Sequence, residues 1–220
     1  MKVFKYSNTG NRETNQDYVL SKDFGQGISL FLVADGIGGY EHGEIASKIV
    51  AEEFANGLAK GLSLEDTTKA ASESLMQEKY NLGVLKMGTT VAGVLLKDTE
   101  ATIFWSGDSR VYVFRSGQQI YQTNDHSLLN QLAEKRPLNY EERKRYQHII
   151  TRSIMGSPDD SVDIHNMTLQ NGDELLVCTD GIYNDCPVDY LMESIRNNTF
   201  DIDKQNDDFS DNHTMIYISI

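Results

Sequence analysis

Five aspartates stand where a predicted strand meets a turn, and through them this sequence could do chemistry. They are Asp17, Asp35, Asp108, Asp180 and Asp211. Carboxylates that a fold brings together repel one another, and each raises the pKa of its neighbours. Hard divalent cations such as Mg²⁺ and Mn²⁺ relieve this repulsion because they prefer oxygen ligands. The pattern therefore indicates a site for divalent cations.

Two of these aspartates follow an apolar run that ends in Asp-Gly. Residues 28–34, ISLFLVA, are almost all apolar or β-branched, which is typical of a short strand buried on both faces. Asp35 and Gly36 come next, and a second run at 174–179 leads into Asp180 and Gly181. A carboxylate beside backbone that can take positive φ suits a ligand held close to the main chain. For either pair taken alone, a tight turn is the alternative interpretation.

Length and composition predict one domain, 1–220, with a sizeable core. No apolar run reaches membrane length and the first residues contain no apolar leader, so we expect a cytoplasmic protein with no membrane partner. Cys178 and Cys186 are expected to be reduced thiols. The net charge of −13 argues against nucleic acid as a partner.

The remaining pattern is rich in strands. Apolar spacing predicts helices over 43–59 and 63–79, the second with Ser63 as its N-cap, and Pro187 opens another that runs to about 196. Close spacing from 89 to 122 predicts an antiparallel meander. An acidic segment at 201–209, expected to be mobile, precedes the last strand. The predicted strands are 3–6, 18–20, 28–34, 89–96, 101–106, 111–114, 119–122, 162–167, 174–179 and 215–220. This order predicts an α+β fold.

Residues 124–150, which we call the flap, are mostly polar and helix-prone, with Pro137 dividing them. Basic side chains cluster here, at Lys135, Arg136, Arg143, Lys144 and Arg145. One interpretation is a solvated helical excursion. The other is a basic flap over a phosphorylated ligand.

Seven short segments occur in the order typical of one family, and together they span the chain. They are RETNQD at 12–17, DGIGG at 35–39, GTT at 88–90, GDSR at 107–110, DHS at 125–127, CTDG at 178–181 and DNHT at 211–214. In these the chain resembles the metal-dependent, type 2C protein serine/threonine phosphatases. The resemblance implies a four-layer α-β-β-α sandwich of two antiparallel sheets, with a two-metal site at one end.

The resemblance also implies roles for the aspartates. Asp35 would bridge two Mn²⁺ or Mg²⁺ ions, and the carbonyl of Gly36 would bind one of them. Asp180 and Asp211 would hold the other, while Asp17 would reach the site through water.

A third, weaker ion would lie at Asp108 together with Asp180. Arg12 would bind the substrate phosphate with its planar fork, which lysine lacks. The implied reaction is direct attack on phosphorus by a water that bridges the metals. The catalytic residues implied are thus Arg12, Asp35 and Asp180.

The chain departs from the family pattern at Ile37, where some eukaryotic members carry a histidine proposed as general acid. Many bacterial members have an apolar residue there, which indicates a bacterial-type enzyme. The substrates implied are phosphorylated proteins, including targets of a Ser/Thr kinase in a signalling pathway, and the enzyme is expected to be a monomer. The flap residues Arg143, Lys144 and Arg145 are candidates for docking one such protein. The alternative function is a catalytically silent module that binds a partner.

Overall fold

The computed structural model describes residues 1–37, 42–200 and 209–220. Gly38, Gly39 and Tyr40 of the Asp-Gly stretch lie outside the described residues. So does the acidic segment at 201–209, apart from Phe209. Within the described ranges, no helix has the length and apolar character needed to cross a lipid bilayer.

Among the described residues, ten strands form two five-stranded antiparallel sheets. The strands are β1 (Lys2–Asn8), β2 (Asp17–Gly25), β3 (Ile28–Asp35), β4 (Val91–Lys97), β5 (Glu100–Ser106), β6 (Arg110–Arg115), β7 (Gln118–Gln122), β8 (Asp163–Thr168), β9 (Glu174–Cys178) and β10 (His213–Ser219). The first sheet has the order β1-β10-β9-β6-β7, and the second has the order β2-β3-β4-β5-β8.

Six helices are described. They are α1 (Gly43–Ala59), α2 (Leu64–Leu82), α3 (Leu128–Ala133), α4 (Tyr140–Tyr146), α5 (Asp180–Asp185) and α6 (Val188–Arg196). Ser63 caps α2 as expected, because its side chain accepts a hydrogen bond from the backbone N–H of Asp66.

The alternation of side chains along β3 shows why the molecule has four layers. Leu30 and Leu32 pack against α1 and α2 outside the second sheet, whereas Phe31 and Val33 point into the core between the sheets. A strand covered on both faces has apolar residues at nearly every position, which is the pattern at 28–34 apart from Ser29. Helices α5 and α6 cover the outer face of the first sheet. The predicted α-β-β-α sandwich is confirmed.

The prediction of a single meander over 89–122 is wrong. The β4–β5 hairpin belongs to the second sheet and the β6–β7 hairpin to the first. Between them Gly107 adopts φ +115°, a conformation that favours glycine, and the chain changes sheets there. Hairpin spacing predicts which strands are neighbours but does not say which sheet receives each pair. The crossover places Asp108 at the end of the sandwich.

Candidate metal centre

Asp17 and Asp35 lie side by side at one end of the second sheet. Asp17 begins β2, Asp35 ends β3, and the two residues are paired in the antiparallel register. Burial raises the pKa of Asp17 to about 7. Burial also raises the pKa of Asp35 well above its ordinary value, and the charges of Asp17 and Asp180 add to the rise.

The other three aspartates come from the facing sheet. In the register of that sheet, Cys178 near the end of β9 pairs with Arg110 of β6 on one side and Met215 of β10 on the other. Asp108, Asp180 and Asp211 flank these three strand ends, so they reach the same end of the sandwich. Burial raises the pKa of Asp108 to about 7, and burial together with the charge of Asp211 raises that of Asp180.

A cavity of about 1000 Å³ opens between the two groups of carboxylates. Its lining includes Arg12, Asp35, Gly36, Asp108, Asp180 and Asp211, six of the residues singled out from the sequence. Asp17 lies behind Asp35 and does not line the cavity.

Two buried carboxylate oxygens have no hydrogen-bond partner among the described residues: Oδ1 of Asp17 and Oδ1 of Asp108. A buried anionic oxygen without a partner is costly, and a cation removes the cost. In the part of the chain that the structure describes, no three His, Cys, Asp or Glu side chains form a ready-made cage for one ion. Mg²⁺ needs no such cage, because one or two carboxylates hold it while it keeps several waters. The oxygen-rich lining therefore fits Mg²⁺ or Mn²⁺.

Arg12 lies at the mouth of this cavity, where its Nη2 donates to Oδ2 of Asp211 over 2.7 Å. That hydrogen bond raises the pKa of Arg12. The side chain of Arg12 is more than half exposed and so remains accessible to an anion that enters the cavity.

The flap contributes to the cavity through residues that follow α4. Gln147, His148 and Ile150 line it, and the charge of His148 partly offsets the rise in the pKa of Asp180. The basic side chains Arg143, Lys144 and Arg145 lie in the last turn of α4 and are not among the lining residues. Ile37 lines the cavity and offers no titratable group.

Three residues support the site in roles that the sequence did not predict. Thr179 donates from Oγ1 to Oδ2 of Asp17 over 2.8 Å and accepts from the backbone N–H of Thr214 over 3.0 Å. The side chain of Asn212 bonds three backbone groups of the 9–16 loop. Tyr183, on the unpredicted helix α5, donates to the carbonyl of Asp108. Thr179 and Asn212 lie within the CTDG and DNHT segments, and Tyr183 lies three residues after Asp180.

The sequence and the fold have counterparts among known proteins. The family model described as Protein phosphatase 2C matches residues 6–207. Protein phosphatase PhpP of Streptococcus pneumoniae serotype 2 is 31% identical over 198 residues, which cover 84% of this chain and 80% of that protein.

Two solved structures share the fold. The S. agalactiae serine/threonine phosphatase superposes with a TM-score of 0.81 at 26% identity, covering 100% of this chain and 99% of that one. The catalytic domain of the serine/threonine phosphatase PstP, in complex with 2 manganese ions, superposes with a TM-score of 0.80 at 23% identity, covering 98% and 96%. The resemblance inferred from the seven segments is confirmed: this chain belongs to the protein phosphatase 2C family.

Proposed function

We propose that this chain is a metal-dependent protein serine/threonine phosphatase that hydrolyses phosphoserine and phosphothreonine with water as the nucleophile. One observation carries the proposal. Asp35 from one sheet, and Asp108, Asp180 and Asp211 from the other, line a single cavity with Arg12 at its mouth.

The cofactors are two Mn²⁺ or Mg²⁺ ions, with room for a third. The PstP catalytic domain, which has the same fold, holds two manganese ions. Here Asp35 and the carbonyl of Gly36 would hold one ion, Asp35, Asp180 and Asp211 the other, and Asp17 would act through water. Asp108 and Asp180 would hold the third.

When bound, such ions lower the pKa of water and neutralise charge on the phosphoryl group. The chain itself positions the groups around that chemistry. Thr179 fixes the carboxylate of Asp17, and the 2.7 Å contact with Asp211 holds Arg12 beside the site. Arg12 leaves Asp211 for the entering phosphate and donates two parallel hydrogen bonds to its oxygens, a geometry that the planar guanidinium favours.

The substrates are phosphorylated proteins, among them targets of a bacterial Ser/Thr kinase, and the enzyme works as a cytoplasmic signalling monomer. Residues 1–220 form one catalytic domain with the flap at 124–150. The exposed cations Arg143, Lys144 and Arg145 would contact acidic groups of a protein substrate. The alternative, a silent binding module, is disfavoured because none of the five aspartates has been replaced.

Hydrolysis of a phosphothreonine peptide by the purified protein tests this function. We expect turnover with millimolar Mn²⁺, none with a chelator, and little on a phosphotyrosine peptide of the same sequence. Absence of turnover with every divalent metal tried, from protein that is folded by circular dichroism, would favour the binding module.

A further inference from the structure

The guanidinium of Arg110, two residues after Asp108, is hydrogen-bonded through all three of its nitrogens and also stacks on an aromatic ring. Its Nε and Nη2 donate to the two carboxylate oxygens of Asp125 over 2.8 and 2.7 Å, and its Nη1 donates to the hydroxyl of Tyr112 over 2.9 Å. Its face lies 3.5 Å from the centroid of the Tyr183 ring. A planar fork that is bonded along its edges and stacked on a ring has little freedom to move.

Tyr183 connects this arrangement to the cavity. Its hydroxyl donates to the main-chain carbonyl of Asp108 over 2.9 Å. Tyr183 also belongs to α5, the helix that begins at Asp180.

The root of the flap holds the same turn from its other side. The backbone N–H of His126 donates to the carbonyl of Gly107 over 2.9 Å, and the N–H of Gly107 donates to Nδ1 of His126 over 3.1 Å. Asp108 therefore lies between two fixed residues, Gly107 and Arg110. Asp108 lines the cavity, and Oδ1 of its buried side chain lacks a hydrogen-bond partner in the described structure.

We propose that Tyr183 and Arg110 are positioning residues that fix the main chain at Asp108 so that its carboxylate is preorganised for a divalent cation. The inference rests on the proposed function, because it concerns an ion of that site. It goes further by assigning part of the affinity for that ion to a stacked pair of side chains, of which Tyr183 also lines the cavity.

Binding of Mn²⁺ to the full chain, followed by the electron paramagnetic resonance signal of free Mn²⁺, tests the proposal. Tyr183→Phe removes the bond to Asp108 and keeps the ring under Arg110. The matched control is Tyr112→Phe, which removes another hydroxyl bonded to the same guanidinium but none bonded to Asp108. We expect Tyr183→Phe to lower the affinity of the weakest Mn²⁺ site by roughly tenfold, because losing a residue that supports a metal ligand typically costs at least that much affinity. We expect Tyr112→Phe to leave this affinity unchanged.

Thermal unfolding of both variants separates positioning from simple destabilisation. Each loses one hydrogen bond, so similar shifts in Tm with different Mn²⁺ affinities would support the proposal. Equal Mn²⁺ affinity in Tyr183→Phe and wild type, or an equal loss in Tyr112→Phe, would overturn it. Arg110→Lys, which keeps the charge but not the fork, provides a second variant with the same expected loss. Wild-type protein that binds no Mn²⁺ would instead overturn the proposed function.

Discussion

Asp17 and Asp35 face each other across the antiparallel pair of β2 and β3. Like charges directly opposite on neighbouring strands destabilise a sheet. Here both carboxyl groups are also withdrawn from water, and Asp180 approaches from the other sheet to raise the pKa of each. The fold therefore retains a cluster that is unfavourable without cations, as expected of a site built to bind them.

The first prediction concerns pH and the stability of the metal-free protein. The pKa of Asp108 is about 7 in the folded chain and about 4 in an unfolded one. Between these values the native state binds more protons at Asp108 than the unfolded state does. The contribution of Asp108 to the free energy of unfolding is therefore retained below about pH 4 and lost as the pH rises through about 7.

Comparison with Asp108→Asn removes most of the other contributions, because two groups of shifted pKa values are common to both proteins. These are the raised values of Asp17, Asp35 and Asp180 and the lowered values of the half-buried His126 and the buried His213. With a chelator present, we expect wild type to lose stability relative to Asp108→Asn by on the order of 1 kcal/mol per pH unit from pH 5 to 7. Urea unfolding at pH 5, 6, 7 and 8 measures it. A difference that stays constant across this range would contradict the prediction.

The second prediction concerns Thr179, which directly follows β9 and donates a hydrogen bond to Asp17. Thr179→Val removes both its bond to the carboxylate and the acceptor for the N–H of Thr214. We expect a loss of about 1–3 kcal/mol in the free energy of unfolding, because buried polar groups are left without partners. The matched control is Thr67→Val. Thr67 is equally buried, and its hydroxyl has no hydrogen-bond partner in the described structure. Removing that hydroxyl should therefore change the free energy of unfolding little. Equal losses of unfolding free energy in Thr179→Val and Thr67→Val would contradict the supporting role of Thr179.

Strands β3 and β9, which lead to Asp35 and Asp180, could be predicted from the sequence because each is an apolar run followed by Asp-Gly. Helix α1 was predicted with its observed bounds, since its apolar residues recur at helical spacing. Helix α5 could not be predicted, because it directly follows a strand and its six residues are too few to show a helical repeat of apolar positions.

The support of the site could not be predicted in the same way. The bond between Thr179 and Asp17 joins residues 162 positions apart, and it depends on how the two sheets face each other. The stack of Arg110 on Tyr183 likewise depends on the chain changing sheets at Gly107. Local patterns contain no information on either.

The third prediction concerns phosphate binding by Arg12. Arg12→Lys keeps the charge but provides only one of two parallel hydrogen bonds. A charge-assisted bond contributes about 1.5–3 kcal/mol, so kcat/KM should fall roughly 10- to 100-fold on both a phosphopeptide and p-nitrophenyl phosphate. Stability should change little, because the ion pair with Asp211 is exposed. Lys69→Ala, which removes an equally exposed cation on α2, is the control and should leave kcat/KM unchanged.

The fourth prediction concerns the cations of the flap. Lys144→Glu/Arg145→Glu should weaken hydrolysis of a phosphorylated protein more than that of p-nitrophenyl phosphate, because α4 does not line the cavity in which we propose that the phosphate binds. Lys48→Glu/Lys60→Glu, an equal change of charge at exposed positions on and beside α1, is the control. Equal losses on both substrates would show that these cations do not dock protein.

The most direct measurement for the central claim is a Mn²⁺ titration of wild type and Asp180→Asn, with bound Mn²⁺ and phosphothreonine peptide turnover recorded on the same samples. Asp180 lines the cavity, and we assign it to two of the three ions. We expect wild type to gain activity as Mn²⁺ binds, and Asp180→Asn to stay folded, bind fewer ions and lose turnover. Turnover that is unchanged in Asp180→Asn, or that does not depend on bound Mn²⁺ in wild type, would contradict a phosphatase driven by this carboxylate site.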